Sequence, residues 1–308
     1  MGTFVEALET DRRLLWGLCY RMTGNAADAD DLVQETFVRA IERPPRRTDE
    51  PARPWLVRVA MNLSRDLLRR RKRQAYIGPW LPSPVPTDDE SPASYEPPAP
   101  TEDSPAARYD LKESISFAFL LALEALTPSQ RAVLLLRDVF DYSTAETAEA
   151  LGITEANAKV VLMRARHRMK AYDKNRAALT PARQEATRRA LEQFLLYLST
   201  RDAAKLEQLL AEDVFSLSDG GGEMKAALKP IRGRDRVLRL ILGLATKSSS
   251  EPRVAFRMLN GLPAVLVDDV RSITTNATRY TLHIEVDDAG LISGLHAVLA
   301  PRKLTALN

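Results

Sequence analysis

Apolar residues recur at helical spacing in "FVEALETDRRLLWGLCYRMTG", which predicts a helix that stops at Gly24. "NAADADDLVQETFVRAIERPP" predicts a second helix, N-capped by Asn25 and ended by Pro44 and Pro45. A third follows in "PARPWLVRVAMNLSRDLLRRRKR", with Pro54 near its start and Trp55, Leu56, Val59, Ala60, Leu63 and Leu67 on its buried side. From Pro79 to Pro105 prolines recur too often for a helix or a central strand, so residues 75–110 read as a linker. Helical pattern resumes at Leu111. "SISFAFLLALEALTPSQRAVLLLRDVF" reads as two helices, with Thr127 and Pro128 in cap and first-turn positions. "STAETAEALGITEANAKVVLMRARHRMK" predicts two more. Beyond Pro181 the pattern predicts one long amphipathic helix to about Leu210, a "DGGG" turn, and a helix near Asp235–Leu244. Strands then follow: "NGLP" reads as a hairpin turn between "RVAFRML" and "AVLVDD", and "RYTLHIEV" alternates apolar Tyr280, Leu282, Ile284 and Val286 with polar partners. The fold class is therefore multidomain. Two all-α domains at 1–74 and 111–175 precede an α+β domain at 180–302.

Composition changes this picture little, whereas the placement of charge changes it more. The 308 residues carry a net charge of only +3, but cations cluster at Arg65–Arg73 and Arg164–Lys170. The linker is acidic, and within it "YIGPWLP" stands out because Tyr76, Ile77, Trp80 and Leu81 are costly to leave in water. Cys19 lies in an apolar helical pattern and reads as a core residue. No apolar run approaches the ~20 residues of a membrane span. The start lacks a signal-peptide core, so a cytoplasmic protein with no membrane partner is expected.

In the third and fourth helices of the second region, Gly152 sits at a tight turn and Ala148 allows close helix approach, the pattern of a helix-turn-helix. Ala158, Leu162, Ala165 and Met169 share one face of the last helix. Glu155, Lys159, Arg166 and Lys170 flank it on one side, and Asn157, Arg164 and Arg168 on the other. A helix so decorated fits the major groove of B-DNA, with its N-terminal residues near base edges and later cations near phosphates. The first domain is less decided. Asp30, Asp31, Gln34 and Glu35 form an acidic sector that is either solvated or waiting for a basic partner. Arg58, Asn62, Arg65 and Arg69 form a stripe that suits phosphates around one hydrogen-bonded base, or a plain basic solvent face.

Taken in this order, "ADDLVQETF", "PWLVRVAMNLSRDLLRRRKR" and "LTPSQRAVLLLRDVFDYSTAETAEALGITEANAKVVLMRARHRM" resemble a bacterial RNA polymerase sigma factor of the extracytoplasmic function (ECF) group. The resemblance implies a region 2 helical bundle and a region 4 helix-turn-helix. It makes core RNA polymerase and promoter DNA the partners. Asp31, Gln34 and Glu35 become polymerase contacts, and Asn62 becomes the reader of a flipped −10 base between Arg58, Arg65 and Arg69. Glu155, Asn157, Lys159, Arg164, Arg166 and Arg168 become the −35 set. The family often has an arginine or polar residue where this chain has Val161, which throws weight onto Glu155, Asn157, Lys159 and Arg164, or onto DNA shape.

"WLPSP", "DGGG" and "NGLPA" resemble the ECF subgroup with a fused SnoaL-like domain, a cone around a pocket that is thought to act in cis. Tyr76, Trp80, Leu81 and Pro82 of the linker, with Asp219, Gly220, Gly221 and Gly222, are then the expected regulatory set. Ser83 departs from the usual "WLPEP". Asp219, Asp268, Asp269, His283 and His296 are the residues an enzyme reading would use. Regulation is expected over catalysis, with no cofactor and no metal, and an unknown small-molecule ligand in the C-terminal pocket stays open. A bifunctional protein and a conventional helix-turn-helix regulator are the alternatives.

Overall fold

The computed structural model describes residues 2–43, 52–74, 76–87, 108–176, 178–247, 252–268 and 277–307. Pro44, Pro45, Asp269 and the acidic part of the linker lie outside the described residues. The chain divides into two compact units. One holds the described residues up to 74 and 108–176; the other holds 76–87 and 178–307.

In the first unit, α1 (Gly2–Thr23), α2 (Ala26–Glu42) and α3 (Arg53–Arg73) pack together, and α4 (Phe117–Leu123), α5 (Pro128–Asp138), α6 (Thr144–Leu151) and α7 (Glu155–Asn175) follow. Local chemistry sets the boundaries. Asn25 accepts from the Asp28 amide, and Thr127 and Ser143 each form a reciprocal capping box, with Gln130 and Glu146. Gly152 ends α6 with φ 63°, and Thr154 caps α7. Cys19 is buried, and that burial pushes its thiol up to about 12.

The buried side of α3 differs from the predicted one. Leu56, Val57, Ala60, Met61, Leu63, Ser64 and Leu68 are buried, whereas Trp55, Val59 and Leu67 are only partly covered. The helix touches α1 and α2 and also α5 and α6, so its buried arc is set by neighbours on more than one side.

Buried arginines join the two halves of this unit. Arg21 of α1 donates from Nε to Ser114 Oγ (2.7 Å) and from Nη2 to the Leu111 carbonyl (2.9 Å). In return Arg131 of α5 donates to the Met22 carbonyl (2.7 Å) at the end of α1, and to Glu124 (2.8 Å). Arg71 of α3 reaches the Thr23 carbonyl (2.9 Å) and the same Glu124 carboxylate (3.1 Å). Arg131 and Arg71 thus satisfy carbonyls left open at the end of α1, and every one of the three guanidiniums has oxygen partners, which is what makes covering it tolerable.

The second unit is α+β, with its helices on one face of a single sheet. The predicted helix from Pro181 to Leu210 is broken: α8 (Pro181–Ser199) ends, Arg201 takes φ 53°, and Asp202 caps a short α9 (Ala203–Leu209). The remaining elements are β1 (Leu210–Asp219), β2 (Ile231–Arg232), α10 (Arg234–Lys247), β3 (Arg253–Leu259), β4 (Leu262–Asp268), β5 (Arg279–Val286) and β6 (Ile292–Val298). The strand order is β2-β1-β6-β5-β4-β3, with only β1 and β6 parallel. The β3–β4 hairpin turns on Asn260 and Gly261, both at positive φ (53° and 81°), as a two-residue turn requires. Leu191, Phe194, Leu206, Val237, Val265, Ile284 and Leu295 fill the space between helices and sheet, so the interior of this layer is packed side chains. This α+β layering is the one expected of a SnoaL-like domain.

Candidate nucleic-acid interface and linker latch

Three surfaces carry the expected site residues. On α2, Asp31, Gln34 and Glu35 are exposed beside one another, opposite the buried stripe Leu32, Val33, Thr36 and Phe37. Glu35 pairs with Arg39 (2.9 Å), and Asp30 accepts from the Trp16 indole (2.7 Å). Burial raises the Asp30 carboxyl above its usual range against the pull of that bond.

On α3, Arg58, Asn62 and Arg69 are exposed and Arg65 is partly covered. The stripe faces the helix-turn-helix. Arg65 Nη1 lies 3.3 Å from both Asn62 Oδ1 and the Leu151 carbonyl at the end of α6, and Nη2 lies 3.4 Å from Ser129 Oγ. A Cβ on Gly152 would lie 4.0 Å from an Arg58 guanidinium nitrogen. Arg69 pairs with Asp66.

On α7, Ala158, Ala165 and Met169 are buried, and Glu155, Asn157, Lys159 and Arg164 are exposed. Two predicted −35 residues have other work. Arg166 forks onto the buried Asp138 carboxylate (2.8 and 2.5 Å), which fixes α7 against α5, and Arg168 donates to the Ala125 carbonyl (2.8 Å). In this arrangement both guanidiniums tie α7 to neighbouring parts of the unit, Arg166 to α5 and Arg168 to the turn before it.

The linker segment 76–87 belongs to the second unit and is held there at two places. At the first, the fully buried Asp219 carboxylate accepts from the Tyr76 hydroxyl (2.5 Å) and the Gly221 amide (3.0 Å) at Oδ1. Its Oδ2 accepts from the Leu81 amide (2.7 Å) and the Lys303 ammonium (2.6 Å). Lys303, also buried, donates to the Leu81 carbonyl and lies over the rings of Tyr76 (5.0 Å) and Trp80 (4.4 Å). Each carboxylate oxygen accepts two hydrogen bonds, and the linker backbone at Leu81 meets the pair twice, its amide on Asp219 and its carbonyl on Lys303.

The glycines explain themselves here. A Cβ on Gly220 would meet the Met224 carbonyl at 2.3 Å, and one on Gly222 would meet Ile77 at 3.0 Å. At the second place, Val85 and Asn260 exchange hydrogen bonds (3.0 and 2.9 Å), and the Thr87 amide donates to the Met258 carbonyl (2.8 Å) on the β3 edge. Between the two places Leu81, Pro82, Ser83, Pro84 and Val85 are all buried. Lys303 has no counterpart in the sequence reading: a lysine in "PRKL" near the end of the chain reads as solvent-facing. Asp219 beside three glycines was the only local sign that something had to meet it.

Of the residues an enzyme reading would use, Asp219, Asp268, His283 and His296 lie among the described residues. Asp219 sits in the latch, and Asp268 pairs with Arg279 (2.7 Å). His283 and His296 are cross-strand partners on β5 and β6, and His296 Nε2 lies 2.9 Å from Glu285 Oε1. Burial, with the neighbouring His296 adding to it, drives His283 down to about 3. The unfolded chain then takes up a proton below about pH 6.5 that the folded domain refuses. Stability is therefore full above that pH and declines as pH falls toward 3. From pH 7 to 5 this one group should cost about 2 kcal/mol, at about 1.4 kcal/mol per pH unit. Urea unfolding of the chain at the two values checks it, and His283→Leu should flatten the slope. A cavity of about 190 Å³ is lined by Met224, Arg279, Leu299 and Leu304, smaller than the ~300 Å³ at which drug-sized sites begin.

An acidic helix, a basic helix and a helix-turn-helix in one unit, with a gripped linker between them, define a DNA-reading protein that works with a partner. The comparisons say which. Residues 8–74 match the Sigma-70 region 2 family, and residues 116–169 match Sigma-70 region 4. The ECF RNA polymerase sigma factor SigJ of Mycobacterium tuberculosis is 34% identical over 245 residues, 79% of this chain and 73% of that one. A probable ECF sigma factor, SigI, of the same species is 28% identical over 98% of this chain and 94% of its own. The crystal structure of Mycobacterium tuberculosis SigJ covers 99% of both chains at a TM-score of 0.71 and 28% identity. The chain belongs to the ECF RNA polymerase sigma factors. It binds core RNA polymerase and directs promoter-specific transcription initiation, a role that is not itself catalytic. Among the described residues no helix is long and apolar enough to cross a membrane.

Proposed function

We propose that this sigma factor rests in a closed state and that its C-terminal domain modulates transcription in cis by gripping the linker. The observation that carries the reading is the buried Asp219, which binds Tyr76, the Leu81 amide and Lys303 at once. The gripped segment follows directly on α3 and leads toward the helix-turn-helix. Whatever holds it limits how far those two DNA readers can separate.

Separation is required on simple geometry. The −10 and −35 elements are centred about 25 base pairs apart, roughly 85 Å of duplex at ~3.4 Å per base pair. In the closed unit α3 and α6 are within hydrogen-bond reach of each other through Arg65. The arrangement cannot serve both elements together, so binding to polymerase and promoter must open it.

In the open state Asp31, Gln34 and Glu35 meet core polymerase. Arg58, Asn62, Arg65 and Arg69 meet the −10 strand, and Glu155, Asn157, Lys159 and Arg164 the −35 duplex. The functional division is 1–74 for region 2, 111–175 for region 4 and 180–302 for the regulator, with linker residues 76–87 working as part of the regulator. The C-terminal domain is a holder rather than a catalyst, a reading supported by Asp219 in the latch, Asp268 paired with Arg279 and His296 against Glu285. The protein acts in the cytoplasm, beside the polymerase.

Run-off transcription tests the reading, with a promoter first selected by genomic run-off. The full chain and a chain ending at residue 177 are compared with core polymerase. The expected result is several-fold more transcript from the shorter chain. Equal activity from the two, both folded, would remove the case for modulation in cis.

A further inference from the structure

The outward face of α7 is apolar at its centre. Ala158, Ala165 and Met169 mark the buried side. At about 100° per residue, Ala156, Val160, Met163 and His167 lie diametrically opposite. All four are exposed, Val160 at 41% and Met163 at 64%. Arg166 is turned onto Asp138 and Arg168 onto Ala125, which leaves Lys159 and Arg164 flanking an aliphatic ridge. Val160 and Met163 belong to the first half of the helix, the part a helix-turn-helix aims at base edges.

An aliphatic side chain has one favourable counterpart on a major-groove edge. Guanine presents N7 and O6, cytosine an amino donor and adenine a donor and an acceptor; covering any of these with a hydrocarbon leaves it without a hydrogen bond. Thymine alone offers a methyl group. The flanking lysine and arginine suit phosphates on either side and argue for duplex DNA, rather than protein, as the occupant of this face.

We propose that Val160 and Met163 select thymine in the −35 element by packing against its 5-methyl group. The proposal rests on the region 4 reading of α7 and deepens it. It assigns base discrimination to two residues whose type carries no hydrogen-bonding code.

Replacing each −35 thymine in turn by uracil removes that methyl and nothing else. The measurement is competition binding of holoenzyme, made with the full chain, to promoter duplex at fixed salt. At least one uracil should weaken binding about fourfold, the effect of one buried methyl group. In Val160→Ala or Met163→Ala the same uracil should make no further difference, while the exposed positions leave the unfolding midpoint unchanged. Insensitivity to every uracil in a holoenzyme that still prefers its −35 sequence over a scrambled one overturns the proposal and leaves the region 4 reading intact. Loss of that preference itself would overturn both. Variants that bind duplex normally yet lose transcription would show that the ridge meets polymerase instead, which also overturns it.

Discussion

Asp219→Ala is expected to free residues 76–87 from the C-terminal domain and to raise promoter-specific transcription. The carboxylate accepts four hydrogen bonds, from Tyr76, Leu81, Gly221 and Lys303. Removing it strands the buried Lys303 ammonium among two aromatic rings and a carbonyl. Breaking one partner of a buried ion pair costs about 3–5 kcal/mol. That is of the same size as the hydrogen bonds at the far end of the segment, with Asn260, Met258 and Gly261, taken together at about 1 kcal/mol each, so losing it removes about half of what holds the segment.

The direct readout is limited proteolysis between residues 76 and 87. Cleavage there should become at least tenfold faster, with the transcript yield rising in step. Asp219→Asn should behave similarly, because an amide cannot accept at both positions and its NH2 faces donors. Lys303→Met alone should also weaken the latch. Combined with Asp219→Asn it should cost less than the two separately, since the uncompensated charge is gone. A variant that melts earlier but shows unchanged cleavage in the linker would make Asp219 a folding residue and nothing more.

The latch also shows where sequence reasoning stops. Regular elements with strong signals were legible: the capped helices of the first unit, Gly152 in its turn, the Asn260-Gly261 hairpin and the alternation along β5 all follow from local chemistry. The break in α8 was not. "LEQFLLYLSTRDAAKLEQLL" keeps helical periodicity across Arg201, and only the positive φ there, with Asp202 capping anew, divides it. The first strand was missed because "LAEDVFSLSD" alternates weakly, and its fit depends on parallel pairing with a strand some eighty residues on. The arc buried on α3 was misplaced by one or two positions because α5 and α6, remote in sequence, cover part of it. In the interface residues the same limit shows. Their types were readable, but Arg166 and Arg168 could not be known to be engaged until Asp138 and Ala125 were in place. Long-range partners decide whether a charge is a tool or a strut.

Asn62→Ala should lower run-off transcription about tenfold to a hundredfold while leaving the protein's stability and its affinity for core polymerase unchanged. Asn62 is exposed, and its amide oxygen meets Arg65 only at a long 3.3 Å, so the fold loses little when the amide goes. A flipped base gives up stacking and is repaid only by hydrogen bonds in its pocket. A two-pronged amide contact is worth about 1–3 kcal/mol, and each 1.4 kcal/mol is tenfold. Arg69→Ala should differ in kind. It should weaken binding to all promoters alike and reduce the slope of log affinity against log salt by about one, the mark of a lost phosphate contact. The two variants therefore separate reading from holding on a single helix. If Asn62→Ala instead weakened binding uniformly, with the same change in salt slope as Arg69→Ala, the stripe on α3 would be an electrostatic rail. Recognition of the −10 element would then have to be sought elsewhere in the first domain.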